Sequence, residues 1–265
     1  MSILLHGDCL EEMKSFDDDS VDLIFCDLPY GQTSCKWDCC IDLDKFWIEI
    51  MRIKKLNTPI FMTTTTKFGV SLINSAPKKC PFRYDIVWVK SSSAGFLSAK
   101  KMPMRKHEMI YVFYEKLPFY DLSSHKHKYE LPLPVSVVKE DINEETGEEN
   151  PNFIYEDIRK DKHTTAYGDN IHHHNNQQRN GESIYDPPLP NSLLEIKSSR
   201  GKHSTEKPVA LMEWILKYYS KEGDVVLDPT MGSGSTGVAC KNMNRNFMGI
   251  EKDAEIYEVA VNRID

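Results

Sequence analysis

The 265-residue sequence predicts an α/β fold: a largely parallel sheet with helices on both faces, interrupted by a loop-rich insertion. Three observations carry this reading. Short apolar runs rich in Val, Ile and Phe alternate with segments of helical spacing. Two of the runs, Val21–Cys26 and Val225–Leu227, pass directly into the turns Asp27-Leu28-Pro29-Tyr30-Gly31 and Asp228-Pro229-Thr230-Met231-Gly232. Buried parallel strands do this where a functional loop follows their carboxyl ends. From Lys116 to Asn191 the periodicity is lost, and so long a patternless stretch reads as an insertion.

Taken in order, Ile3–Leu5 predicts a strand, Cys9–Phe16 a helix and Val21–Cys26 a second strand. Leu43–Leu56 predicts a helix, with Phe46, Trp47, Ile50, Met51 and Ile53 on or near one face. Pro59–Thr63 reads as a strand and Lys67–Ser75 as a short helix. Tyr84–Val89 and Glu108–Tyr114 read as two strands joined by Lys90–Lys106. After the insertion, Glu206–Tyr219 predicts a helix with a proline in its first turn. Val225–Leu227 is a strand, Val238–Asn242 begins a helix, Phe247–Ile250 is a strand ending at Glu251, and Ala254–Ile264 is the last helix. The expected division is 1–115, an insertion over 116–190, and 191–265.

The 33 basic and 40 acidic residues give a net charge of −7, which argues against a simple basic nucleic-acid coat. The charge is local, however. Lys139–Lys162 holds nine acidic and four basic residues and supplies −5 of the −7, so the remainder is close to neutral. No apolar run approaches the ~20 residues of a membrane helix, and the start, MSILLHGDCLEEM, does not read as a signal peptide. The expectation is an intracellular, soluble protein away from membranes. The seven cysteines include a cluster, Cys35, Cys39 and Cys40, without a second ligand pair. Reduced thiols and no metal are expected. His172-His173-His174 cannot all face one ion on regular backbone and reads as a solvated loop.

Gly232, Gly234 and Gly237 form a GxGxxG pattern between a strand and a helix, and Glu251 ends the next strand nineteen residues past Gly232. Glycines allow backbone to approach a ligand closely, and an acidic residue so placed accepts from ribose hydroxyls. Three nucleotide ligands come into question. A phosphate loop would need Lys and Ser/Thr after the last glycine, where Val238-Ala239 stand. A nicotinamide cofactor needs a second mononucleotide half, so it requires a permuted chain. S-adenosylmethionine is favoured by Asp228-Pro229, which puts a carboxylate where a cationic group of the donor can meet it.

With these motifs in view, the sequence resembles the amino-group DNA methyltransferases, which methylate an exocyclic base nitrogen. Asp27-Leu28-Pro29-Tyr30 resembles their catalytic (D/N/S)PPY tetrapeptide, with Leu28 in place of a proline. DPTMGSGSTG resembles the donor loop, with Thr230 where Phe is frequent. His203-Ser204-Thr205-Glu206-Lys207-Pro208 resembles H-P-T-x-K-P, with Ser204 departing from proline. His107-Glu108 resembles an HE pair, although locally it reads as a surface strand start. The order, tetrapeptide before donor loop, resembles the β group, and implies a circularly permuted Rossmann-like methyltransferase sheet. The matches cover roughly 1–115 and 191–265; 116–190 takes the position of the family's target-recognition region.

The resemblance implies transfer of a methyl group from S-adenosylmethionine to a flipped-out base in double-stranded DNA, with no metal, and it admits a homodimer. Asp27 and the Leu28 carbonyl would accept the amino N–H groups, Pro29 would fix the turn, and Tyr30 would stack on the base. Asp in the first position implies N6-adenine, Ser would imply N4-cytosine, and Asn protein glutamine. Donor contacts implied are Asp8 and Cys9, Asp27, Thr205, Lys207, Asp228, Pro229, Thr230, Gly232, Gly234, Ser235, Thr236 and Glu251; Asp8 also reads as a helix N-cap. Lys90, Arg105, Lys106, Lys197, Arg200 and Lys202 are candidates for phosphate contact. Cytosine-N4 methylation is the nearest enzyme alternative, and a non-catalytic, S-adenosylmethionine-binding DNA-recognition subunit is the alternative of a different class.

Overall fold

The computed structural model describes residues 2–30, 41–128, 178–179, 182–183, 185–198 and 206–265. Cys35, Cys39, Cys40, the acidic segment 139–162, His172–His174, Arg200, Lys202 and Thr205 lie outside them. The elements are β1 (Ser2–His6), α1 (Cys9–Glu12), β2 (Leu23–Cys26), α2 (Leu43–Ile53), β3 (Ile60–Thr64), α3 (Thr66–Ser75), β4 (Phe82–Ala94), β5 (Arg105–Phe113), β6 (Lys126–His127), β7 (Gln178–Arg179), β8 (Glu182–Ser183), β9 (Tyr185–Asp186), β10 (Leu193–Glu195), α4 (Val209–Tyr219), β11 (Val225–Asp228), α5 (Ser235–Asn242), β12 (Asn246–Glu251) and α6 (Ala254–Ile264). The chain forms two compact units, Met1–Leu122 with Asn191–Asp265, and Ser123–Pro190. Within the second, β6 pairs with β9 and β7 with β8, both antiparallel.

The first unit is built on one eight-stranded sheet of order β1-β12-β11-β2-β3-β5-β4-β10. All neighbours are parallel except β5, which runs against both β3 and β4. The two ends of the chain meet in it, with Ser2 on Phe247 and His6 on Glu251, and β11 lies on β2 through Val226–Leu23 and Leu227–Ile24. The permutation is thus a matter of strand pairing.

Every residue of β2 and β3 is buried, as sheets covered on both faces require. Leu23 and Phe25 share one core with Phe61, Trp88 and the apolar faces of α4, α5 and α6. Ile24 and Cys26 share the other with Met62, Phe113 and residues of α1, α2 and α3. Helices cover both faces because the period-2 alternation of the strands sends alternate side chains to opposite sides.

Boundaries differ from the sequence pattern in informative places. The stretch after Cys9 is a single α-turn followed by a 3-10 turn at Met13–Ser15. β10 was invisible because three residues carry no period; it is held by Leu194 in the core and by Trp88 Nε1 donating to the Ile196 carbonyl at 2.8 Å. The helix expected from Glu206 begins at Val209, with extended Pro208 as its N-cap. A proline disfavours helical backbone at the residue before it, so Lys207 stands outside the helix. β4 runs five residues further than expected, to Ala94.

Gly234 caps α5 in the left-handed region, φ 82°, and a Cβ there would lie 2.9 Å from Ile264 Cδ1 and 3.3 Å from the Ala260 backbone. Gly234→Ala combines backbone strain with overpacking. It is expected to lose about 2 kcal/mol in a denaturant titration, with a lower Tm.

Candidate active site

The carboxyl ends of β1, β12, β11 and β2 lie side by side, and each carries an acidic residue or a turn singled out in the sequence. Asp8 follows β1. Its Oδ1 caps α1 through Leu10 N at 3.0 Å and its Oδ2 meets Lys252 Nζ at 2.9 Å. The lysine bond leads the causes that hold the Asp8 carboxyl below its ordinary value; burial opposes it. Cys9 is buried, and burial pushes its thiol up to about 12. Glu251 ends β12; its carboxylate accepts from Gly232 N at 3.0 Å and from Asp253 N at 2.8 Å. The acidic residue and the glycine loop are therefore in direct contact.

Asp228, at the end of β11, is turned into its own loop. Its two oxygens accept from Thr230 N at 3.1 Å and Thr236 Oγ1 at 2.6 Å. Burial pushes its carboxyl up to about 7, against the bonds from Thr236 and Thr230. It braces the turn that contains Pro229. In that turn Gly232 has φ 53° and open space where a Cβ would stand. Thr230 Oγ1 and Ser235 Oγ are buried without a hydrogen-bond partner among the described residues. Unpaired buried hydroxyls are costly, so both oxygens of this loop remain open to a further hydrogen-bond partner.

Asp27 follows β2. Its Oδ1 accepts from Tyr30 OH at 3.0 Å and from Thr63 Oγ1, and its Oδ2 from Lys207 Nζ at 2.6 Å. Lys207 also lies 3.2 Å from Glu108 Oε1, and Glu108 Oε2 lies 2.5 Å from Lys90 Nζ. The result is a ladder of alternating charge: Asp27, Lys207, Glu108, Lys90. Burial works against the Lys207 charge, but Asp27 and Glu108 outweigh it and raise its pKa. Burial likewise opposes the Glu108 charge, and Lys207 and Lys90 outweigh it, so its pKa is lowered. The Tyr30 hydroxyl is within 3.2 Å of Thr63 Oγ1 and Glu108 Oε1. Burial, then Asp27 and Glu108, hold its phenol well above the ordinary value, so it donates. Its ring packs on Phe68 at 5.3 Å, and Leu28 is buried.

The structure thus brings Lys207 to the tetrapeptide carboxylate, where the sequence placed it with the donor contacts. Lys90, a phosphate candidate, is bonded to Glu108 and lies over Trp88 at 4.9 Å. Arg105 and Lys106 are exposed at the start of β5, and Lys197 follows β10. Two members of the site escaped the sequence reading. Glu108 reads locally as a surface strand start, and Thr63 only as the last residue of the strand expected over Pro59–Thr63; the HE pair is the available signal for the first. Among the described residues no group of three or more His, Cys, Asp or Glu could hold a metal, and no helix is long and apolar enough to cross a membrane.

Two outcomes follow from these charges. Lys207→Met leaves Asp27 and Glu108 facing each other across a buried gap, and is expected to cost roughly 3 kcal/mol of stability in denaturant titration. Adding Glu108→Gln should recover part of that loss, since the pair is then removed together. For Asp228 the folded pKa, about 7, lies above its ordinary 3.8. The native chain should therefore lose stability as pH rises through about 7, on the order of 2 kcal/mol between pH 5 and 8. Asp228→Asn should remove that slope.

Comparison with known proteins bears on the family and the fold. The DNA methylase family of N6/N4 type matches residues 21–262. The chain is 26% identical to Type II methyltransferase M.HinfI of Haemophilus influenzae, covering 100% of this chain and 68% of that protein. It is also 26% identical to DNA adenine methyltransferase YhdJ of Escherichia coli (strain K12), covering 99% and 82%. In fold it matches the crystal structure of the M1.HpyAVI–SAM complex, with a TM-score of 0.59, 21% identity and full coverage of both chains. The chain belongs to the N6/N4 DNA methylase family and is an S-adenosylmethionine-dependent DNA methyltransferase.

Proposed function

We propose that this enzyme methylates the N6 amino group of adenine in double-stranded DNA, at a base rotated out of the helix. The observation that carries the reading is the Asp27 carboxylate, fixed at the carboxyl end of β2 beside the glycine loop of β11. Asp in this position resembles the adenine enzymes, and the relative YhdJ is an adenine methyltransferase.

An exocyclic amino nitrogen is a poor nucleophile because its lone pair is delocalised into the ring. Acceptors aimed at its N–H groups localise that pair. A carboxylate has about four acceptor positions; Tyr30, Thr63 and Lys207 take three on Asp27, two on Oδ1 and one on Oδ2. The remaining Oδ2 position takes one amino N–H. The Leu28 carbonyl takes the other, aimed by Pro29, which biases the residue before it to extended backbone. The Tyr30 ring, backed by Phe68, offers a face to the base. A base inside the duplex is out of reach of these atoms, so it must leave the stack.

The neighbouring strand ends fit the donor. Glu251 would take the ribose hydroxyls and Asp8, beside Cys9, the adenine amino group. The loop of Pro229, Gly232, Gly234 and Thr236, with the unpaired hydroxyls of Thr230 and Ser235, would receive the methionine part. Asp228 would hold that loop. When bound, S-adenosylmethionine supplies a methyl group already activated by its sulfonium. The protein then contributes alignment and fixed charges, which suffice for large rate gains. The insertion, 116–190, would read the target sequence, by its position between the two halves.

Incubation with duplex DNA and labelled S-adenosylmethionine, followed by digestion to nucleosides, should give label in N6-methyladenine. Label confined to N4-methylcytosine would overturn the adenine assignment. Asp27→Ala should lower single-turnover methylation at least about 100-fold, by loss of a preorganised acceptor.

A further inference from the structure

The connection between β4 and β5 is a two-stranded arm that takes no part in the site just described. β4 follows β3 and β2 in direction, so its carboxyl end leaves the sheet on the edge that carries Asp27. Pairing with β5 shifts register after Val89 and resumes at Ala94 and Arg105. Residues 91–107 are all exposed except Ser98. The tip is a turn at Gly95, φ 94°, closed by Ser98 N donating to the Gly95 carbonyl at 3.0 Å. From Trp88, which pairs with Glu108, to Gly95 the arm spans roughly 20 Å at about 3.3 Å per residue.

Its chemistry is unusual for a surface. Phe96 is 82% exposed, Leu97 100%, Met102 60% and Met104 44%. Large apolar side chains gathered in this way mark a surface meant for a partner. Residues 91–106 also contain Lys100, Lys101, Arg105 and Lys106 and no acidic residue. A ribbon with an apolar tip and cationic sides matches stacked bases bounded by phosphates. The arm is rooted at the catalytic ladder, since Lys90, just before it, bonds Glu108 at 2.5 Å. A DNA target held at Asp27 would therefore lie beside the root of the arm.

We propose that the arm is a wedge: Phe96 and Leu97 enter the base stack beside the target and fill the space it vacates, while the arm's cations sit on the flanking phosphates. A DNA groove admits a two-stranded ribbon, and Phe, Leu and Met are the side chains that part base steps. The proposal rests on the DNA-methylating reading above and adds how the base is kept out of the stack.

The test is single-turnover methylation by the double variant Phe96→Ser/Leu97→Ser on two duplexes. One carries the target base correctly paired and the other carries it in a mismatch, whose unpaired base costs less to extrude. The wild type should methylate both. The variant should fall at least about tenfold on the paired duplex and stay within about threefold of wild type on the mismatched one. Equal losses on both duplexes, or none on the paired one, would overturn the wedge. Absence of methylation by the wild type on both would instead overturn the underlying reading. Lys100→Gln/Lys101→Gln should weaken binding of any duplex and flatten its salt dependence, without restoring selectivity for mismatches; unchanged salt dependence would remove the phosphate contacts from the proposal.

Discussion

The parallel pairing of β11 with β2 is the contact on which the rest of the molecule depends. Two backbone positions, Val226 on Leu23 and Leu227 on Ile24, join segments some two hundred residues apart. The turn after each strand leaves on the same edge, so the glycine loop and the Asp27 tetrapeptide become neighbours. Parallel strands guarantee this, because their carboxyl ends emerge on one side. An antiparallel partner in the same place would have sent one turn to the opposite edge. The pairing is secured by burial on both faces, with Val226, Leu227, Leu23 and Ile24 almost wholly excluded from solvent.

The two carboxylates delivered to that edge are treated differently. Asp228 is given hydrogen-bond donors but, among the described residues, no cation, and burial carries its pKa to about 7. Asp27 is given Lys207 at 2.6 Å. The first arrangement suits a brace that holds a loop, and the second suits the acceptor role proposed for Asp27. Environment, more than residue type, separates the roles.

Much of this was legible in the sequence. The strand runs, the two turns and the acidic residue at the end of β12 are local signals, and Glu251 bonds Gly232 directly. The final helix Ala254–Ile264 coincides with α6. What could not be read depends on contacts between distant segments. Glu108 follows the exposed first residues of β5 and becomes part of the site only because β5 lies next to β3 and Lys207 arrives from 99 residues further on. Thr63 owes its role to the register of β3 on β2. The arm was read only for its charge, because apolar residues in a loop carry no period and their exposure is a property of the fold.

The ladder of Asp27, Lys207, Glu108 and Lys90 then explains why Lys207 precedes its helix. Two carboxylates close together in a partly dry site repel each other and resist ionisation. Two cations interleaved with them bring the set to neutrality, and a neutral, hydrogen-bonded set is far cheaper to bury than any unpaired member. Lys207 reaches both carboxylates from outside α4, and Pro208 keeps it there by disfavouring helical backbone at the residue before it. A helix beginning at Glu206, as the periodicity suggests, would have turned that residue into ordinary helix surface. The proline thus acts on chemistry through one backbone constraint, and it does so across three separate segments of chain, since the charges it brings together come from the end of β2, from β4 with β5, and from the approach to α4.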